Sequence, residues 1–265
     1  MKGGVLNSLF ALCLIALIAG MSWRDMHPRS APADTSLLDM LTYYAGPEAT
    51  SALMPDDRLP VTIDVGDFSY ASDGRTIWTP HGMAPTTFPQ RQINLQFNFK
   101  SLPQDPAQTI EKINAVAGEW VHKGDIVNTY IVNYSPEKAD LKDYAKLLHA
   151  AYDKFSKITP VNSDRIIIVA GINIQWGEGA LKDLQELAPK FLVHLPQTHI
   201  SPELLSQLAA LDCNLILQYP AGTQVADIDM AAFKKLNSLS GITLPLDPHR
   251  PLLKKEDKVG LFPKF

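Results

Sequence analysis

The residues best equipped for chemistry gather around the stretch Gly171 to Gly179, GINIQWGEG. A tryptophan and a carboxylate stand there between glycines, although a strand-to-helix turn requires neither. Sugar rings stack on aromatic faces, and their hydroxyls need matched donors and acceptors. Trp176 and Tyr219 are candidate stacking platforms, and Asn133, Gln175, His194, His199, Gln218 and Arg250 are candidate hydroxyl partners. Cleaving a glycosidic bond takes two carboxyl groups, one to protonate the leaving oxygen and one to attack or to activate water. Glu178 as acid/base and Asp247 as its partner are the candidates for those roles. Glu178 also opens a helical pattern, where a carboxylate complements the helix dipole without doing chemistry. Trp176 suits a packed barrel mouth as well as it suits a ligand. Asp64 and Asp67, in TIDVGDF, read either as catalytic groups or as turn residues of a hairpin. His194, His199, Asp247 and His249 follow no recognised ligand spacing, so neither a metal nor another cofactor is expected.

These residues act together only if the elements between them bring them to one place. From Gln92 onward, apolar strand candidates run over 93–99, 126–134, 165–172, 191–195, 214–219 and 241–246. Helical patterns separate them: Ile110, Ile113, Ala117 and Trp120 share one face, and Leu141, Tyr144, Leu148 and Phe155 another. Asp105-Pro106, Ser135-Pro136 and Ser201-Pro202 each set a capping oxygen before a proline suited to the first helical position. Several strands are apolar on both faces, as parallel strands covered by helices are. No glycine-rich phosphate fingerprint follows the early strands, which disfavours an open nucleotide-binding sheet. The expected fold class is α/β, a (β/α) TIM-like barrel. Six units and a candidate strand at Val61–Val65 fall short of eight, so an incomplete or irregular barrel is expected. Function in such barrels sits on the loops at the C-terminal strand ends. Asn133, Trp176, His194, Gln218 and Asp247 all fall at such ends.

The chain outside the barrel divides into two pieces. Residues 1–23 begin with Lys2 and continue as an uncharged apolar run closed by Arg24 and Asp25, which reads as a signal peptide or membrane anchor. Residues 24–60 read as a linker carrying a short amphipathic helix, SLLDMLTYYA, and residues 61–265 as the barrel domain. The two β-rich runs around Ser72-Asp73-Gly74 predict a hairpin. The expected location is extracytoplasmic, with the inner membrane as a contact through the first helix. Of the two cysteines, Cys13 lies in the apolar run, which leaves Cys213 without an internal disulfide partner. A net charge of −4 speaks against nucleic acid as a partner.

One stretch carries a resemblance. TYIVNYSPEKADLKDYAKLLHAAYDKF, followed by RIIIVAGINIQW and NLILQYPAG, resembles an uncharacterised bacterial family of secreted, glycosidase-like barrels, domain of unknown function 3142. Leu141, Tyr144, Ala145, Leu147 and Leu148 match its L-x-x-Y-A-x-L-L helix, and Trp176 matches a tryptophan that follows its next strand. The resemblance implies a polysaccharide or another envelope polymer as partner. It also implies carboxylates at a strand end where this chain carries Asn133 and Ser135. An amide can neither protonate a leaving group nor attack, so a degenerate, binding-only glycoside hydrolase becomes credible, while whether the chain hydrolyses anything stays open. The alternative class is a non-catalytic scaffold of a cell-envelope assembly that binds other proteins.

Overall fold

The strand QINLQFNF shows how the sequence builds both faces of the barrel wall. Side chains alternate across a strand. Ile93, Leu95, Phe97 and Phe99 are buried on one face, where Phe97 meets Tyr130 edge-on at 6.1 Å and Tyr130 meets helical Phe155 at 4.8 Å. Gln96 and Asn98 lie on the other face and hydrogen-bond inside the barrel. The computed structural model describes residues 40–49, 59–85, 92–138, 140–158, 166–176, 178–211, 213–224 and 238–246, with 227, 228, 233, 235 and 236.

Nine strands are present among the described residues: β1 (Leu41–Ala45), β2 (Val61–Tyr70), β3 (Thr76–Pro80), β4 (Gln92–Phe99), β5 (Ile126–Asn133), β6 (Ile167–Ile172), β7 (Lys190–His194), β8 (Asn214–Gln218) and β9 (Leu239–Pro245). Eight of them, all but β3, pair in parallel and close into a ring, because β1 pairs with both β9 and β2. Helices α1 (Ala107–His122), α2 (Leu141–Phe155), α3 (Glu178–Gln185) and α4 (Pro202–Ala210) fill the connections from β4 to β8. The fold is therefore a closed α/β barrel of the TIM type. The ring is complete rather than short of strands. Its irregularity lies early in the chain, where β2 leads into the antiparallel β3 before β4. That hairpin is the one expected around Ser72-Asp73-Gly74, with Gly74 at φ +80° and its amide donating to the Ala71 carbonyl.

Two expectations are corrected. Leu41–Ala45 is a barrel strand, not part of a linker helix, so the barrel begins twenty residues before Val61; the preceding residues 36–39 lie outside the described set. The reason is pairing: β9 and β2 flank the segment, and the resulting alternation buries Leu41, Tyr43 and Ala45 and turns Tyr44 inward. The second correction concerns capping. Ser201 and Pro202 open α4 as expected, with the Leu204 amide donating to Ser201 Oγ at 3.2 Å. Asp105 accepts from the Ala107 amide at 3.0 Å, but it does not cap α1: Pro106 is the N-cap rather than the first helical residue, and no side chain caps that helix. Ser135-Pro136 does not open α2. That helix starts at Leu141, capped by Asp140, whose carboxylate accepts from the Asp143 amide at 3.1 Å.

Barrel interiors are usually filled by branched apolar side chains. Here β5 to β8 supply such a filling, with Ile131, Val169 and Leu192 backed by Ile167 and Ile216. The opposite wall, from β1, β2 and β4, presents Tyr44, Thr62, Asp64, Gln96 and Asn98. A polar wall inside a barrel costs desolvation at every group and persists only where the groups satisfy one another.

Candidate functional site

The polar wall rises to the C-terminal mouth, and Asp64 is its centre. Its side chain is only 4% exposed. Three donors from separate elements surround it. The Tyr44 hydroxyl of β1 donates to Oδ2 at 2.7 Å, His81 Nδ1 donates to Oδ1 at 2.6 Å, and Asn98 Nδ2 of β4 donates to Oδ1 at 2.8 Å. Contacts to a charged acceptor are about twice as strong as neutral ones, which offsets the cost of burying the carboxylate. The local backbone follows the same demand. Between Asp64 and Gly66 the pairing of β2 with β4 shifts register, so Val65 is the extra residue of a bulge. Gly66 sits at φ +153°, and a β-carbon there would stand 2.5 Å from the Thr79 carbonyl oxygen.

Beyond Asp64 the network crosses the mouth. Gln96 Nε2 and Asn133 Nδ2 both donate to Asn98 Oδ1, at 2.9 and 2.8 Å. His194 Nε2, at the end of β7, donates to Asn133 Oδ1 at 3.0 Å. Gln218, at the end of β8, hydrogen-bonds Tyr44. Gly171 of β6 makes room for the Asn133 amide, with which a β-carbon at that position would collide. On the rim, Asp67 is 16% exposed; Lys100 Nζ lies 2.5 Å from its Oδ2 and His81 Nε2 3.3 Å from its Oδ1.

The charges follow from these surroundings. Burial pushes the Asp67 carboxyl up, but the Lys100 hydrogen bond and the His81 and Lys100 charges outweigh it and hold the group below the usual carboxylate range. Asp67 is thus an acceptor or base at neutral pH and no proton donor. Burial, then the Asp64 charge, drives the Tyr44 phenol far above its ordinary value, so it stays a donor. Burial lowers His194, with Asp64 opposing, which keeps the ring neutral at pH 7.

Of the residues singled out in the sequence, the fold brings Asp64, Asp67, Asn133, His194 and Gln218 together. Tyr219 is not a platform. It is 2% exposed and meets Phe233 edge-on at 6.4 Å, because β8 alternation sends it to the side opposite Gln218. Trp176 is half-buried in the turn Ile174–Trp176. Its Nε1 donates to the Pro136 carbonyl at 2.8 Å, and its ring packs T-shaped on Tyr144 at 6.0 Å. Tyr144 in turn donates to the Val132 and Gly171 carbonyls at 2.7 and 2.9 Å. The tryptophan in GINIQWGEG therefore latches the loop after β6 onto the loop after β5. Gln175 and His199 are exposed and lie outside the network. Glu178 is the first residue of α3, with its side chain outside the described set, as are Asp247 and Arg250.

Tyr44, His81 and Gln96 are functional candidates that sequence reasoning missed. One signal was present: Gln92, Asn94, Gln96 and Asn98 place an amide at every second position of an otherwise apolar strand. Among the described residues no group of three or more His, Cys, Asp or Glu side chains is arranged to hold a metal ion, and no helix is long and apolar enough to cross a membrane. No protein-family model matches the chain, and no curated protein matches it.

Proposed function

We propose that this protein is an extracytoplasmic barrel that engages carbohydrate, or another envelope polymer, at its C-terminal mouth. Residues 1–23 export it or tether it to the inner membrane. The observation that carries the reading is the chain of side-chain hydrogen bonds centred on Asp64, which runs from Tyr44 through Asn98 and Asn133 to His194. Fixed amides, a phenol and an imidazole at one strand-end face suit a polyhydroxylated ligand. We read the mouth as one that binds, on the two carboxylates that the described residues place there. Asp64 is enclosed by three donors and Asp67 is held ionised, so neither supplies the proton that a leaving oxygen needs. The resemblance to secreted, glycosidase-like barrels supports the same ligand class.

Affinity electrophoresis of the full chain in mild detergent tests this, in gels containing hydroxyethylcellulose, dextran, alginate or solubilised peptidoglycan, beside a reducing-end assay. Retardation in at least one gel, weakened by Asp67→Ala, with no new reducing ends, is the expected result. Unretarded migration in every gel would refute carbohydrate engagement. Reducing ends released by the wild type and lost in Asp67→Asn would make the protein a hydrolase. Export is tested by a C-terminal reporter that works only outside the cytoplasm; activity solely of a cytoplasmic reporter would exclude it.

A further inference from the structure

The direction of every hydrogen bond in the mouth can be derived from one group. The Asp64 carboxylate only accepts. Asn98 must therefore turn its Nδ2 toward Asp64, which leaves its Oδ1 as the acceptor for the next pair of bonds. Gln96 and Asn133 consequently each point an NH₂ at Asn98 and keep an oxygen behind. The oxygen of Asn133 faces His194 Nε2, so that nitrogen carries the ring proton and Nδ1 carries the lone pair. On the other arm the Tyr44 hydroxyl spends its proton on Asp64, so its hydrogen bond with Gln218 is one in which Gln218 donates its NH₂.

The enclosed atoms of the network that lack any hydrogen-bond partner are acceptors, although each amide NH₂ keeps a second N–H. Gln96 Oε1 and Gln218 Oε1 are buried oxygens with no partner. Both side chains belong to residues more than nine-tenths buried. His194 Nδ1, one strand from Gln218 in the register that pairs the two residues, accepts no hydrogen bond from a described residue, although unlike the two oxygens it is not among the fully enclosed unpartnered atoms. Buried acceptors without donors are costly, and native structures keep few of them without a reason.

We infer that the mouth is a donor-reading site, in which His194 Nδ1 and Gln218 Oε1 select ligands by adjacent hydroxyl groups that donate to them. This inference rests on the carbohydrate reading for its ligand class, but the polarity itself does not. A sugar ring offers such neighbouring hydroxyls, and the same ring with its hydroxyls alkylated keeps every acceptor and loses every donor. The site accepts the first and rejects the second. His194 is a positioning and specificity residue here. Its neutral ring hydrogen-bonds Asn133 on β5, its partner in strand register on β8 is Gln218, and the charged group that acts on it is Asp64 of β2.

The experiment has two arms on the full chain in mild detergent. Long-range ¹⁵N–¹H spectra of the histidine rings at pH 7 report the His194 tautomer, and titration with cellohexaose, xylohexaose and maltohexaose, each free and per-O-methylated, reports donor dependence. The expected result is an Nε2–H tautomer for His194. At least one free oligosaccharide should bind about tenfold or more tightly than its methylated form. His194→Gln, which can both donate to Asn133 and offer an oxygen, should retain binding within about threefold. His194→Met should lose about tenfold or more, with its melting curve confirming that it folds. An Nδ1–H tautomer, or equal binding of a methylated oligosaccharide, would overturn the inference and leave the carbohydrate reading standing. An Nε2–H tautomer with no oligosaccharide bound would refute the carbohydrate reading, and the ligand class inferred here with it.

Discussion

Asp64→Ala and Asp64→Asn should separate sharply in stability. In the alanine variant three donors at 2.6 to 2.8 Å lose a shared charged acceptor. A hydrogen bond to a charged group contributes about 1.5–3 kcal/mol, so the raw sum is large. Two effects reduce it: the desolvation cost of the carboxylate disappears with it, and water can reach His81, which is 13% exposed. A net loss of about 3–5 kcal/mol remains, the range for breaking a buried charged network by removing one partner. Asparagine keeps the shape and one acceptor. Its Oδ1 still serves His81 and Asn98, and its NH₂ meets the Tyr44 oxygen. Tyr44 must then donate to Gln218, whose amide turns over to offer its oxygen. The network survives with one arm reversed, at a cost of about 1–2 kcal/mol. Urea unfolding followed by tryptophan fluorescence measures both variants, with an unchanged dependence on denaturant confirming comparable native states. An alanine variant within about 1 kcal/mol of the wild type would refute Asp64 as the organising group. An asparagine variant as unstable as alanine would refute the reversal.

Gly171→Ala should cost about 2–4 kcal/mol in thermal melts, because the added carbon collides with the Asn133 amide and stands 2.8 Å from the Asn133 Cα; Asn133→Ala removes only the first clash, so the double variant should recover only part of the loss. Trp176→Ala should cost about 3 kcal/mol in denaturant unfolding, while Trp176→Phe, which keeps the packing on Tyr144 and loses the bond to Pro136, should cost about 1 kcal/mol. A large effect on polymer retention with no change in stability would instead make Trp176 a stacking platform. Stability should fall as pH drops below about 6.5, because the unfolded chain takes up a proton that buried His194 refuses until its own lowered value is reached. The slope in that window should flatten in His194→Gln; an unchanged slope in the variant would assign the effect to another group.

Much of the barrel was legible in the sequence because strand and helix periods record which face of an element is buried. The alternation in QINLQFNF, the apolar run of β6 and the serine–proline start of α4 depend on local chemistry, and each takes the form that chemistry requires. Asn133, His194 and Gln218 could be placed at strand ends for the same reason. LTYYA could not be read that way. Five residues fit one helical face or half a strand equally well, and only pairing with Ile242 on one side and Val61 on the other decides for the strand. That decision turns Tyr44 inward onto Asp64, 20 residues away, while His81 and Asn98 arrive from 17 and 34 residues away. Asp64 itself read equally as a turn residue, because nothing within TIDVGDF shows which donors will surround it. A sequence pattern specifies faces, whereas ring closure specifies neighbours. The site is made of neighbours, since hydrogen bonds reach about 3 Å and their partners here come from separate strands and loops.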